Sequence, residues 1–78
     1  MNKIDSKLRF KSGVYMFINM VSGKRYIGSS VDIYNRIHEH VHNLNNNKAH
    51  NKHLQASWNK YGEDAFHYGI LEYCKEDV

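Results

Sequence analysis

The stretch Gly13-Val14-Tyr15-Met16-Phe17-Ile18-Asn19-Met20-Val21-Ser22-Gly23-Lys24-Arg25-Tyr26-Ile27-Gly28-Ser29 decides the fold. Two runs rich in Val, Tyr, Phe and Ile, Gly13 to Asn19 and Lys24 to Ser29, flank a Ser22-Gly23 turn signal and together predict a β-hairpin. Loop length sets its register. A four-residue loop, Met20 to Gly23, opposes Asn19 to Lys24 and Phe17 to Tyr26, and opposed residues share a face. Tyr15, Phe17, Tyr26 and Gly28 then lie on one face, with Val14, Met16, Ile18, Arg25 and Ile27 on the other. A loop longer or shorter by one residue separates the two tyrosines.

Downstream, Ser29 followed by Asp32 fits a capping box with Asp in place of the usual Glu, which predicts a helix from near residue 30. Ile33, Ile37, Val41 and Leu44 follow the helical period and define its buried stripe. At about 100° per residue, Arg36 and His40 sit on one flank of that stripe, while His38 and His42 face solvent. Asn45-Asn46-Asn47 breaks the helix. A second helix, roughly His50 to Tyr61, carries Leu54, Trp58 and Tyr61 at core spacing and ends at Gly62. Ala65 to Tyr73 reads as a third strand, with Phe66, Tyr68, Ile70 and Glu72 of one parity. The first twelve residues, with Lys3, Lys7, Arg9 and Lys11 against Asp5, read as a basic arm of uncertain order ahead of a domain over 13 to 78. The fold class is α+β, a three-stranded antiparallel sheet with two helices packed on it.

Seventy-eight residues make one small domain, burying only about 60–65% of the surface its unfolded chain exposes. There is no room for a second catalytic domain. One cysteine, Cys74, excludes an intramolecular disulfide and fits a reducing intracellular setting. No apolar run approaches the roughly 18 residues of a membrane span, and the first residues lack the apolar stretch of a signal peptide. The net charge of +3 is uneven: residues 1 to 60 hold ten Lys/Arg against three Asp/Glu, and residues 61 to 78 hold one against five. A basic body of this kind attracts a polyanion. His38 and His42, one helical turn apart, with His50, His53 and Cys74 elsewhere, raise a weaker zinc reading, because no pair has Cys-x-x-Cys spacing.

Gly13-Val14-Tyr15 and Tyr26-Ile27-Gly28, with tyrosines eleven residues apart and Arg36 ten residues beyond the second, resemble the GIY-YIG nuclease family. Tyr15 and Tyr26 match the tyrosines that name it, Gly28 its glycine, Arg36 its helix arginine and His40 a histidine of many members. Val14 stands where the family name has isoleucine. His53 to Gly62, then Phe66 and Ile70-Leu71-Glu72, resemble the branch found in phage and intron homing endonucleases more than the excision-repair branch. The likeness spans about residues 12 to 73.

The resemblance implies a DNA endonuclease dependent on Mg²⁺ or a similar divalent cation, encoded by a phage, intron or mobile element, that takes its sequence specificity from a separate DNA-binding segment. It implies catalytic roles for Tyr15, Tyr26, Arg36 and His40, with Tyr15 the first choice as general base and Tyr26 positioning water or substrate, the two roles being exchangeable. Gly13, Gly28 and Ser29 become backbone and positioning residues, and Lys24, Arg25, Lys48, Lys52 and Lys60 candidates for DNA contact. The chemistry is coherent. Guanidinium is always charged and forks onto two phosphate oxygens, whereas a phenol with an ordinary pKa near 10 must be tuned before it activates water. By position the family's metal-binding glutamate falls beyond Val78, so the final helix is expected to be missing, with Glu72, Glu76 and Asp77 as weak substitutes. The alternative reading is a DNA-binding remnant of the fold that lacks its metal carboxylate.

Overall fold

The computed structural model describes residues 1–74. In chain order they form β1 (Ser12–Asn19), β2 (Arg25–Ser30), α1 (Ile33–Asn45), α2 (Lys52–Tyr61) and β3 (Phe66–Cys74), with short 3-10 turns at Ser6–Leu8 and Glu63–Ala65. The sheet is antiparallel in the order β2-β1-β3, so the strand bearing Tyr15 is central.

The hairpin adopts the expected register: Phe17 opposes Tyr26 and Tyr15 opposes Gly28. Its four-residue loop is closed by Asn19, which is fully buried. The Asn19 side-chain oxygen accepts from the Val21 and Ser22 amides at 2.9 and 3.1 Å, and its amide nitrogen donates to Ser57 Oγ at 3.2 Å. A buried amide with its donors and acceptors matched locks the turn length, and through it every side chain of the hairpin.

Tyr15, Phe17 and Asn19 are buried on the inner face beneath the helices. Ile33, Ile37 and Leu44 of α1 meet Leu54 and Trp58 of α2 and Phe66 of β3 in one core, to which Leu8 and Ala49 also belong. Trp58, 4% exposed, packs its ring 5.0 Å from that of Phe66 and donates to Asn45 Oδ1 at 3.0 Å, which makes it a core residue rather than a stacking platform. The opposite face carries Val14, Met16 and Ile18 half-buried and Ile27 exposed.

Four details depart from the expectations. The first helix is capped by Asp32, whose side chain accepts from the Asn35 amide at 3.3 Å, and it begins at Ile33; Ser29 lies inside β2 instead. Ser30 Oγ accepts from the Asp32 amide at 3.0 Å, and this local side-chain turn holds residues 30 to 32 out of the helix. The second helix begins at Lys52 behind an Asn51 cap, two residues later than its periodicity suggested.

A bulge forms the third departure. The register of β3 on β1 shifts between Val14 and Tyr15, so Ile70 opposes Tyr15 but Glu72 opposes Val14. One extra residue reverses which face the following side chains take, and Glu72 therefore parts company with Phe66, Tyr68 and Ile70.

The fourth concerns residues 1 to 11, which pack against the domain. Leu8 is buried, and Met1 and Ile4 pack on the core. Asn2 exchanges two hydrogen bonds with the Tyr68 backbone at 3.1 and 2.9 Å, and the Tyr68 hydroxyl accepts from the Asp5 amide while donating to the Lys3 carbonyl. The segment thus shields the outer edge of β3, which otherwise presents unpaired backbone groups. It turns back at Leu8–Lys11, where the Lys11 amide donates to the Leu8 carbonyl at 3.1 Å. Arg9 has φ −57° and ψ 135°, and Phe10 has φ 63°. This is the pattern of a type II turn, whose third position favours glycine. Placing phenylalanine there costs on the order of 1–2 kcal/mol.

Candidate active site

Strand β1 presents Tyr15 inward, and α1 lays Arg36 and His40 along the flank above it. The Tyr15 hydroxyl lies 2.9 Å from Nε2 of His40, and the His40 ring sits against both Tyr15 and Phe17, with centroid separations of 5.9 and 5.7 Å. Four residues separate Arg36 from His40, so one helical turn aims both at the same place.

Gly28 explains how the phenol reaches that position. A β-carbon at residue 28 would lie 2.7 Å from the Tyr15 hydroxyl and 2.8 Å from its Cζ. The Tyr15 ring occupies the space that any side chain at 28 would fill. Gly13 serves packing instead: a β-carbon there would come within 2.1 Å of the Glu72 carbonyl oxygen, so glycine lets β1 and β3 approach at the bulge.

Burial pushes the Tyr15 phenol above its ordinary range, and the Arg36 guanidinium beside it acts in the opposite direction. Burial also holds His40 below its ordinary value; Arg36 adds to this and Glu39 opposes it. The pair is therefore a neutral phenol against a neutral imidazole at neutral pH.

Tyr26, half-buried, shares the inner face with Tyr15, and Lys24 places its ammonium 5.6 Å from the Tyr26 ring centroid. Ser29, opposite Val14, faces away from the tyrosines, as does Arg25 opposite Ile18. Glu72 is exposed on that same outer face, across the sheet from Tyr15. Glu76 and Asp77 lie outside the described residues. Among those described, no group of three or more His, Cys, Asp or Glu side chains converges on a point. His38, considered above for zinc, packs its ring 4.5 Å from that of Tyr34.

Beside the Tyr15 and His40 pair lies a recess of about 130 Å³ lined by Arg36, His40, Asn43, His50 and Asn51, with Ala49 and Leu54 at its apolar floor. Gln55, 7% exposed, shapes it: the side-chain oxygen accepts from the Ala49 amide at 3.0 Å, and the nitrogen donates to the Leu44 carbonyl and Asn59 Oδ1. Lys48 and Lys52, both exposed, bracket the lining segment, whereas Lys60 lies at the far end of α2 over Tyr61. Two polar residues at the site were not among the candidate catalytic residues. Glu39 forms an ion pair with Arg36 and is the carboxylate that bears on both Tyr15 and His40. His50, read earlier only as a zinc candidate, lines the same recess as His40; it follows Ala49, whose amide the Gln55 side chain holds, an anchor that periodicity does not reveal.

The chain as a whole has relatives among known proteins. The chain matches the family model described as the GIY-YIG catalytic domain over residues 11–77. It is 46% identical over 66 residues to a protein of Neurospora crassa named probable intron-encoded endonuclease 1, covering 85% of this chain and 20% of that protein. The chain thus spans about a fifth of the length of that curated relative. Two solved structures of the catalytic domain of the homing endonuclease I-TevI, one of them a point variant, superpose with TM-scores of 0.80 and 0.78 at 33% and 34% identity. Each covers 86% of this chain, which in turn covers 72% and 68% of them. Taken with the geometry of Tyr15, Gly28, Arg36 and His40, these matches show that the chain belongs to the GIY-YIG family and carries an endonuclease domain of the homing type.

Proposed function

We propose that this domain hydrolyses a phosphodiester bond of DNA, with Tyr15 and His40 activating water and Arg36 stabilising the charge that develops on the phosphate. The observation that carries the reading is the 2.9 Å contact between the Tyr15 hydroxyl and His40 Nε2 beside the Arg36 guanidinium. A buried phenol is a poor base alone. With the Nδ1–H tautomer of His40, Nε2 accepts the phenolic proton as the Tyr15 oxygen takes a proton from water. The resulting hydroxide attacks phosphorus, the bond to the leaving oxygen breaks, and the proton held on His40 passes to solvent or to the leaving group. Arg36 stabilises the added negative charge with two parallel donors once phosphate displaces Glu39.

Tyr26 fits a positioning role on the same face, and Gly28 leaves room for the Tyr15 ring. Lys24, Lys48 and Lys52 supply phosphate contacts at the rim, and a separate DNA-binding segment supplies sequence specificity. Dependence on a Mg²⁺-type ion belongs to the same proposal, on the family resemblance. The described side chains do not form a site for that ion: Glu39 is engaged by Arg36 and Glu72 lies behind the sheet.

The test is nicking of supercoiled plasmid at low salt, with Mg²⁺ or with excess chelator, run beside Arg36→Ala. Metal-dependent nicking that disappears in the variant is the expected result. Salt-sensitive DNA binding with no nicking under any condition would favour the alternative, a DNA-binding remnant without turnover.

A further inference from the structure

The turn Leu8–Lys11 lies outside the site described above and combines features that packing alone does not require. Phe10 is 85% exposed although its backbone sits at φ 63°, where glycine or asparagine is at ease. Leu8, two residues earlier, is 4% exposed and anchors the turn in the core. The strained position thus lies beside a buried anchor while its large apolar side chain is presented to solvent.

Cations surround it. Phe10 stands between two shallow grooves, one lined by Arg9, Asp32, Tyr34 and Asn35, the other by Lys7, Lys11, Ser12 and Tyr73. The Arg9 guanidinium is itself stacked on Tyr34, 4.8 Å from the ring centroid, and so is pre-oriented. Of the described acidic groups nearby, Asp5 accepts from the Lys7 amide, and Asp32 is occupied capping α1 and bonding Asn35 Nδ2. Three cations around one exposed ring complement a polyanion that also offers flat apolar surfaces, as phosphates and bases do.

The turn is also tied to the two elements that carry the active site. The Lys11 carbonyl accepts from the Ile33 amide at 2.9 Å, which ties the turn to the start of α1. Four residues of extended chain lead from Lys11 to Tyr15, roughly 13 Å, or about four base-pair steps along a duplex.

We propose that the Leu8–Lys11 turn is a second DNA contact, with Phe10 stacking on or wedging beside a base step a few pairs from the scissile phosphate, and Lys7, Arg9 and Lys11 holding the adjoining phosphates. This rests on the reading of the domain as a DNA endonuclease. Stacking on an aromatic side chain accounts for a loss of roughly tenfold in affinity when the ring is removed.

The experiment measures binding of a fluorescein-labelled duplex by anisotropy in excess chelator, for the unaltered chain and for Phe10→Gly, with thermal melting of both. Glycine relaxes the positive φ, so Phe10→Gly is expected to melt no lower while binding about tenfold more weakly with an unchanged salt slope. Combining Lys7→Gln, Arg9→Gln and Lys11→Gln should instead flatten the slope of log K against log salt by about 2 to 3. A 2-aminopurine placed near the cleavage position should change its fluorescence with the unaltered chain and not with Phe10→Gly. If the unaltered chain binds duplex and Phe10→Gly binds equally well, the inference is overturned and the endonuclease reading stands. If the unaltered chain itself does not bind duplex, both fail. Should Phe10→Gly melt lower, Phe10→Asn, which also accepts positive φ, repeats the test; loss of structure in both would mark Phe10 as a folding residue and overturn the proposal.

Discussion

The Tyr15 hydroxyl, carried by the central strand, lies 2.9 Å from Nε2 of His40, carried by the helix above it. The two residues are 25 positions apart in the chain, and only the packing of α1 on the sheet joins them. Removing the hydroxyl while keeping the ring separates chemistry from packing. Tyr15→Phe should reduce plasmid nicking at least a hundredfold and lower stability by about 1 kcal/mol. Paired nicking and melting measurements check this; a variant that nicks normally would remove Tyr15 from the reaction.

Acid should act through His40. Its pKa in the folded state lies below the unfolded value of 6.5, so the unfolded chain binds the proton first. The stability this group contributes is present above about pH 6.5 and is lost as pH falls toward the folded pKa. Tyr15 has the opposite sign: its folded pKa is raised, so its contribution is complete below about pH 10 and is lost as pH rises further. Melting temperature followed against pH should show a decline on the acid side that His40→Gln flattens, and nicking should fall over the same acid range. A His40→Gln variant with an unaltered acid limb would assign the decline to other histidines.

Gly28 should not accept even one carbon. The β-carbon of Gly28→Ala would press on the Tyr15 hydroxyl and Cζ at 2.7 and 2.8 Å, and Tyr15 is only 3% exposed. Displacing that ring is expected to cost about 1–3 kcal/mol and to break the contact with His40. The combination Gly28→Ala with Tyr15→Phe should recover part of the lost stability and none of the nicking, as calorimetry and plasmid assays would report.

On the proposed reaction, Arg36 has to exchange Glu39 for substrate. In the free domain it pairs with Glu39, and both side chains are substantially exposed. Glu39→Gln is expected to leave stability within about 0.5 kcal/mol, as for exposed ion pairs, and to tighten DNA binding severalfold at low salt. Arg36→Lys should fail to restore nicking lost in Arg36→Ala, because an ammonium lacks the planar fork. Weaker binding in Glu39→Gln would mean that Glu39 orients Arg36 rather than competing with phosphate.

Gln55 supports the recess from below. Its side chain holds the Ala49 amide and the Leu44 carbonyl, both out of solvent. Gln55→Ala leaves those groups unmatched and should cost about 1–3 kcal/mol, with a rise in KM exceeding the fall in kcat if the recess positions substrate. Equal effects on both constants would assign Gln55 to stability alone.

The hairpin was legible in the residues because its information is local. Ser22-Gly23 sets a turn, the loop length sets the register, and a period of two assigns Tyr15, Tyr26 and Gly28 to one face. The flank shared by Arg36 and His40 was legible for the same reason, since a helical period needs only near neighbours. Element ends were less so: Asp32 prevailed over Ser29 as the cap because Ser30 closes a competing turn, and such contests are settled by fractions of the energy of one hydrogen bond.

What tertiary structure alone decided are the distances and the faces that one residue can reverse. The bulge opposite Val14 and Tyr15 sends Glu72 behind the sheet, although its parity matched Ile70, because a single extra residue inverts every later side chain. The approach of Tyr15 to His40, the neighbourhood of Glu39 and His50, and the packing of residues 1 to 11 along β3 depend on contacts between elements remote in sequence. Burial then sets the protonation of Tyr15 and His40. The chain by itself determined which groups are present and on which face of each element; the contact between Tyr15 and His40 arises only when α1 settles on β1 and buries both side chains.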